Sequence, residues 1–127
     1  MADMRTPLNK VRGLGSARGG TEHFWRQRLT AVSNIPLIIF FIGFVAVYAG
    51  ASYEEIRAAL AQPVVALLIG FAFVSVLYHM RLGMQIIIED YVHEEGWKIF
   101  LVILNTFFPI VVGATALYSL LRIAFGG

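Results

Sequence analysis

The 127-residue chain has no cysteine. That absence removes disulfide cross-links, thiolate-bound zinc and any iron–sulfur cluster ligated by this chain. Charge is scarce too, at 14% of residues against about 25% in an average soluble domain. It is also unevenly spread: no Asp, Glu, Lys or Arg lies between Arg28 and Glu54, between Arg57 and Arg81, or between Lys98 and Arg122. Acidic residues are few at the N-terminal end, where Arg5, Lys10, Arg12, Arg18, Arg26 and Arg28 are opposed only by Asp3 and Glu22. A basic segment of this kind can touch nucleic acid or anionic lipid. Followed at once by a hydrophobic span it reads as a positive-inside topology signal, and no nucleic-acid partner is expected.

Apolar residues fill the space that charge leaves. They make up 58% of the chain and the mean hydropathy is +0.74, more than a single small domain can bury in water. A lipid bilayer is the solvent that such a chain matches. The predicted fold is an all-α membrane protein with three transmembrane helices, about 29–49, 63–89 and 98–124, N-terminus cytoplasmic and C-terminus outside. Each run is close to the roughly 20 residues that cross a ~30 Å hydrocarbon core. Residues 1–20, with four glycines, Pro7 and scattered basic side chains, read as a flexible cytoplasmic tail, and 21–127 as one membrane domain. The apolar stretch starts too late and runs too long for a cleaved signal peptide. The expected location is a bacterial inner membrane, with the mitochondrial inner membrane, reached by an Arg-rich transit peptide, as the alternative.

Local signals support these boundaries. Glu22 stands four residues before Arg26, a favourable helical pair, and Phe24 and Trp25 suit the headgroup level. Pro36 lies inside the first span, where it should kink the helix or mark a separate short one. Thr30, Ser33 and Asn34 can bond across helices or to a ligand. Ser52 and Glu55 form a capping-box pattern before a short loop helix, and Pro63 suits a first helical position. Trp97, Lys98, Tyr118 and Arg122 are candidate interface anchors, and Gly113, Ala114 and Ala116 permit close helix approach.

One stretch does not fit a bland span: His79 to Tyr91, at the end of the second apolar run. On a helix His79, Gly83, Ile86/Ile87 and Asp90 share a face. An ionisable residue within a membrane segment marks a functional site by default, so His79 is a candidate haem axial ligand or proton-relay group; the plainer alternative is a neutral histidine bonded to a neighbouring helix. Gly83 leaves room for a flat macrocycle or for helix packing. The other histidines, His23 and His93, fall at or beyond the membrane edge, so if His79 binds haem the second axial ligand must come from another chain. Asp90 and Tyr91 lie about 16–18 Å further along the axis, where the Tyr hydroxyl can bond a quinone carbonyl and the carboxylate can deliver protons, or where both simply anchor the interface. Arg28 can hold a haem propionate or a lipid phosphate. Arg81 points away from the His79 face and has no acid at its depth in this chain, so it snorkels, pairs with a partner chain, or meets an anionic group.

His79, Gly83, Asp90 and Tyr91 resemble the His-x3-Gly-x6-Asp-Tyr pattern in the second transmembrane helix of the small hydrophobic membrane anchor subunit of succinate dehydrogenase (respiratory complex II), a cytochrome b-type subunit. Arg28-Leu29-Thr30-Ala31 is similar to the Arg-x-Thr-Ala segment opening that family's first helix, and the resemblance covers roughly residues 21–125. It implies that His79 is one axial ligand of haem b, the other coming from the larger cytochrome b anchor subunit. It implies that Tyr91 donates to a ubiquinone carbonyl with Asp90 supporting that site, and that Arg28 lies near the propionates. Electrons would arrive from flavoprotein and iron–sulfur subunits docked on the cytoplasmic face. The implied function is membrane anchor and electron carrier of succinate:quinone oxidoreduction, without the succinate chemistry itself. A fumarate reductase anchor, a non-catalytic scaffold or a transporter accessory subunit are the alternatives.

Overall fold

The computed structural model describes residues 6–12 and 18–126. The chain is all-helical over these residues: α1 (Pro7–Val11), α2 (Arg18–Tyr48), α3 (Tyr53–Leu60), α4 (Pro63–Tyr91) and α5 (Glu95–Ala124). Much of the expected flexible tail lies outside the described residues; within it, Pro7–Val11 is the short α1.

Among the described residues three helices are long and apolar enough to cross a membrane: Thr21–Tyr48, Pro63–Tyr91 and Glu95–Ala124. At 31, 29 and 30 residues α2, α4 and α5 each extend to about 45 Å, longer than the hydrocarbon core alone. The extra length is most evident in α2. It starts at Arg18, eleven residues before the expected boundary, because Glu22 and Arg26 ion-pair across one turn and the Arg28 guanidinium sits 4.3 Å over the Phe24 ring. The polar approach segment is therefore continuous with the membrane helix. Pro36 does not divide α2, which runs through it as one helix. A second internal proline, Pro109, is carried by α5 and is buried.

α4 is the middle helix, packed on α2 on one side and on α5 on the other, while α3 touches α4 and α5. The register is antiparallel throughout. Thr30 meets His79 and Ser33 meets Ser75 across the α2–α4 seam. On the α4–α5 seam, Asn105 meets Arg81 and a Cβ added at Gly113 would stand 3.2 Å from Leu77 Cδ1. Gly113 thus permits the close approach that small residues allow between membrane helices. Among the described residues no large side chain is fully buried. Three helices apolar all round with so little enclosed surface match burial in lipid and against other chains.

The turns follow local chemistry. Ser52 accepts from Glu55 N at 3.4 Å, and the Glu55 carboxylate accepts from Ser52 N at 2.8 Å, the reciprocal capping box. The Ser52 backbone N–H, and then its hydroxyl, hold the Glu55 carboxyl below its ordinary value. A carboxyl lowered by folding stabilises above its unfolded pKa, and that contribution is lost as pH falls through the lowered value. Ser52→Ala should therefore speed hydrogen exchange of the α3 amides at neutral pH and weaken the acid dependence of that exchange, the part owed to the backbone N–H of residue 52 being kept. Pro63 opens α4 in its first turn. Glu94 caps α5 by accepting from Gly96 N and Trp97 N at 3.0 and 2.8 Å.

Candidate functional site

The α2 face turned toward α4 carries His23, Gln27, Thr30 and Asn34, at successive spacings of four, three and four. That repeat puts them on one stripe. α4 answers with Ser75, His79 and Gly83, also one stripe. Where the stripes meet, Ser33 Oγ lies 2.8 Å from Ser75 Oγ and Thr30 Oγ1 lies 3.0 Å from His79 Nδ1. A Cβ added at Gly83 would stand 3.1 Å from Gln27 Nε2, so within this chain the room beside Gly83 is used by the Gln27 amide.

His79 is half-buried. Its Nδ1 faces inward to Thr30, whereas Nε2 is not among the enclosed unpartnered atoms and makes no hydrogen bond among the described residues. The ring therefore offers one nitrogen outward from the seam. Among the described residues no group of three His, Asp or Glu side chains is placed to hold a metal ion. A single imidazole of this kind suits a metal whose other positions are filled by a macrocycle and by a second chain, not a bare ion held by this chain alone. The donor set thus fits a haem iron.

Among the described residues four polar atoms are enclosed without partners: His23 Nε2, Gln27 Oε1, Asn34 Oδ1 and Arg81 Nε. Buried polar groups are normally satisfied, so each marks a place for water or for an atom of another molecule. Asn34 and Asn105 are the most enclosed polar residues described, at 7% and 9% exposure. Asn105 Nδ2 donates to the Arg81 carbonyl at 2.9 Å, which fastens α5 to α4 two residues from His79. Sequence reasoning passed over Asn105 and Gln27. An amide inside an apolar run is the signal that finds them, since it must locate a partner there.

The other candidates lie nearer the end of the bundle that carries the α4 C-terminus. Arg28 is exposed and rests on Phe24, a stance that leaves its guanidinium facing away from the seam's own polar groups. Asp90 and Tyr91 are exposed at the last residues of α4. With about 100° per residue, Asp90 comes round to within about 20° of His79, but Tyr91 is rotated by about 120°. Tyr91 instead continues the stripe of Met84 and Ile88 and borders an apolar groove of about 410 Å³ between α4 and α5, with Leu104, Asn105 and Phe108 on the far wall. Asp90 and Tyr91 are thus neighbours in sequence that serve different sides of the helix. Nearby, Gln85 Nε2 donates to Glu89 at 2.7 Å and Lys98 Nζ to the Glu89 carbonyl at 3.2 Å, tying the turn between α4 and α5.

Residues 2–113 match the family model described as succinate dehydrogenase/fumarate reductase transmembrane subunit. The chain is 33% identical over 121 residues to a succinate dehydrogenase hydrophobic membrane anchor subunit of Paracoccus denitrificans, covering 95% of this chain and 93% of the relative. It is 29% identical over 109 residues to the subunit of that name from Rickettsia bellii, covering 86% and 87%. It is 32% identical over 85 residues to a succinate dehydrogenase membrane anchor subunit of Reclinomonas americana, covering 65% and 71%. No solved structure matches. With the family model spanning most of its length and the three apolar helices in place, the chain belongs to the succinate dehydrogenase/fumarate reductase transmembrane subunit family.

Proposed function

We propose that this chain anchors a succinate:quinone oxidoreductase in a bacterial inner membrane, N-terminus cytoplasmic, and there shares haem b and ubiquinone with a larger cytochrome b anchor subunit. The observation that carries this reading is the half-buried His79 with one nitrogen tied to Thr30 and the other open. Its place mid-way along an apolar helix of a chain in this family supports the axial-ligand role. The likeness to anchors from Paracoccus and Rickettsia supports the bacterial membrane, and the excess of Lys and Arg before the first span supports the orientation.

A b-type haem bound at His79 would supply a one-electron carrier whose potential depends on its axial ligands. This chain's own residues contribute position and charge. His79 presents Nε2 outward, where it would hold the haem iron together with a residue of a second anchor subunit. Arg28, free of any acid of its own helix, is placed to hold a carboxylate such as a propionate by charge-assisted hydrogen bonds. At the α4 terminus the Tyr91 hydroxyl donates to a quinone carbonyl, and Asp90, exposed on the neighbouring side of the helix, exchanges protons with water. Electrons come from an iron–sulfur subunit, itself supplied by a flavoprotein subunit where succinate is oxidised. Without cysteine this chain holds no cluster of its own.

The test is direct. The complex purified through a tag on this chain should contain the three other subunits and show a b-type band in its reduced-minus-oxidised spectrum. A colourless preparation in which this chain is alone sinks the proposal and leaves a scaffold.

A further inference from the structure

The α2–α4 seam fixes more than the place of His79; it also fixes which nitrogen carries the proton. Thr30 Oγ1 has three close polar neighbours: the carbonyl oxygens of Arg26 and Gln27 at 2.9 and 3.0 Å, and His79 Nδ1 at 3.0 Å. A hydroxyl has one proton to give, and carbonyl oxygens have none. If Thr30 donated to Nδ1, both carbonyl contacts would be left as bare oxygen–oxygen approaches. If it donates to the two carbonyls, in the shared geometry common in helices, its lone pair accepts Nδ1–H and all three contacts are satisfied. The second arrangement is the one that the distances favour. The Ser33–Ser75 pair one turn away is no competing acceptor, because Ser33 is also only 3.0 Å from the Thr30 carbonyl and the two hydroxyls satisfy each other.

We propose that Thr30 is the positioning residue for His79: it accepts Nδ1–H, holds the imidazole in the tautomer with a free Nε2 lone pair, and aims that lone pair out of the seam. A hydrogen bond given by the far nitrogen of a metal-bound imidazole makes the ligand more basic and fixes its plane. A more basic ligand stabilises the ferric over the ferrous ion, so this contact lowers the haem potential. Thr30 acts on a haem only where His79 ligates one, so this role stands on the axial-ligand assignment above.

The experiment compares Thr30→Val, Thr30→Ser and His79→Leu in the full, membrane-extracted complex by haem content and redox titration of the b-type band. Thr30→Val keeps the side-chain shape and removes the hydroxyl, both as the acceptor from His79 and as a donor to the Arg26 and Gln27 carbonyls of its own helix. It should move the potential in the positive direction and weaken haem retention by about 10- to 100-fold, the usual effect of losing such an outer partner. Thr30→Ser should restore both. An unmoved potential in Thr30→Val, with the band abolished in His79→Leu, overturns the role of Thr30 and leaves the ligand assignment standing. Equal shifts in Thr30→Val and Thr30→Ser also overturn it, since the hydroxyl that Thr30→Ser keeps then restores nothing. A band unmoved in all three variants removes the ligand assignment and the role of Thr30 together.

Discussion

Replacing His79 by leucine should strip the b-type band from the complex while leaving the complex assembled. The two halves of that expectation rest on different atoms. The spectral loss follows from the removal of Nε2, the nitrogen that His79 offers outward from the seam; leucine has nothing to replace it. The survival of the fold follows from Thr30. Its own proton is placed on the Arg26 and Gln27 carbonyls, so losing the imidazole leaves no donor stranded in the seam. What is lost is one interhelical hydrogen bond, worth on the order of 1 kcal/mol and about half that in membrane measurements. Ser33–Ser75 and the Asn105–Arg81 contact still hold α4 to both neighbours. Succinate oxidation with an artificial acceptor should therefore stay near its original level. A b-type band of unchanged height and potential would remove His79 from the ligand set.

Much of this site was legible in the sequence, and the part that was not has a physical cause. Helical spacing places His79, Gly83 and Asp90 on one face, because a repeat of 3.6 residues fixes directions within a helix. It does not say which helix lies across that face. Thr30 and Ser33 stood out as groups able to bond between helices, yet only the antiparallel register of α2 and α4 pairs them with His79 and Ser75. The same limit applies to Gly83. Its missing side chain is visible in the sequence, but the Gln27 amide that fills the room is 56 positions away. The turns were easier. Ser52 with Glu55 and the opening Pro63 are local devices, and the structure has both. An apolar threshold marks the membrane and puts the start of the first span near residue 29, whereas the helix itself is prolonged by the Glu22–Arg26 and Phe24–Arg28 pairs in its polar approach. Arg81 was read as turned from the His79 face, and its enclosed, unpartnered Nε together with the Asn105 bond to its carbonyl sets it on the α5 side.

Tyr91→Phe should lower quinone reduction by about one to two orders of magnitude and leave succinate oxidation with an artificial acceptor unchanged. The side chain is 78% exposed, and its hydroxyl makes no hydrogen bond among the described residues. Deleting that oxygen therefore takes nothing from the chain's own stability. The phenyl ring still borders the groove shared with Ile88, Leu104 and Phe108, so the shape offered to a ligand is kept. What disappears is one donor at a place where the proposed quinone carbonyl needs one. An acceptor left unpaired in a desolvated site costs about 1–3 kcal/mol, and each 1.4 kcal/mol is a factor of ten. The position of Tyr91 sharpens the test. It lies on the α5 side of α4 while Asp90 lies on the α2 side, so the two groups need not act on the same atom. Asp90→Asn should then alter the pH profile of quinone reduction, with Tyr91→Phe lowering its height at every pH. Equal loss of quinone and artificial-acceptor activity in Tyr91→Phe would mark an assembly defect. No loss of either would return Tyr91 to the aromatic belt, with its hydroxyl in the headgroup layer and no part in the chemistry.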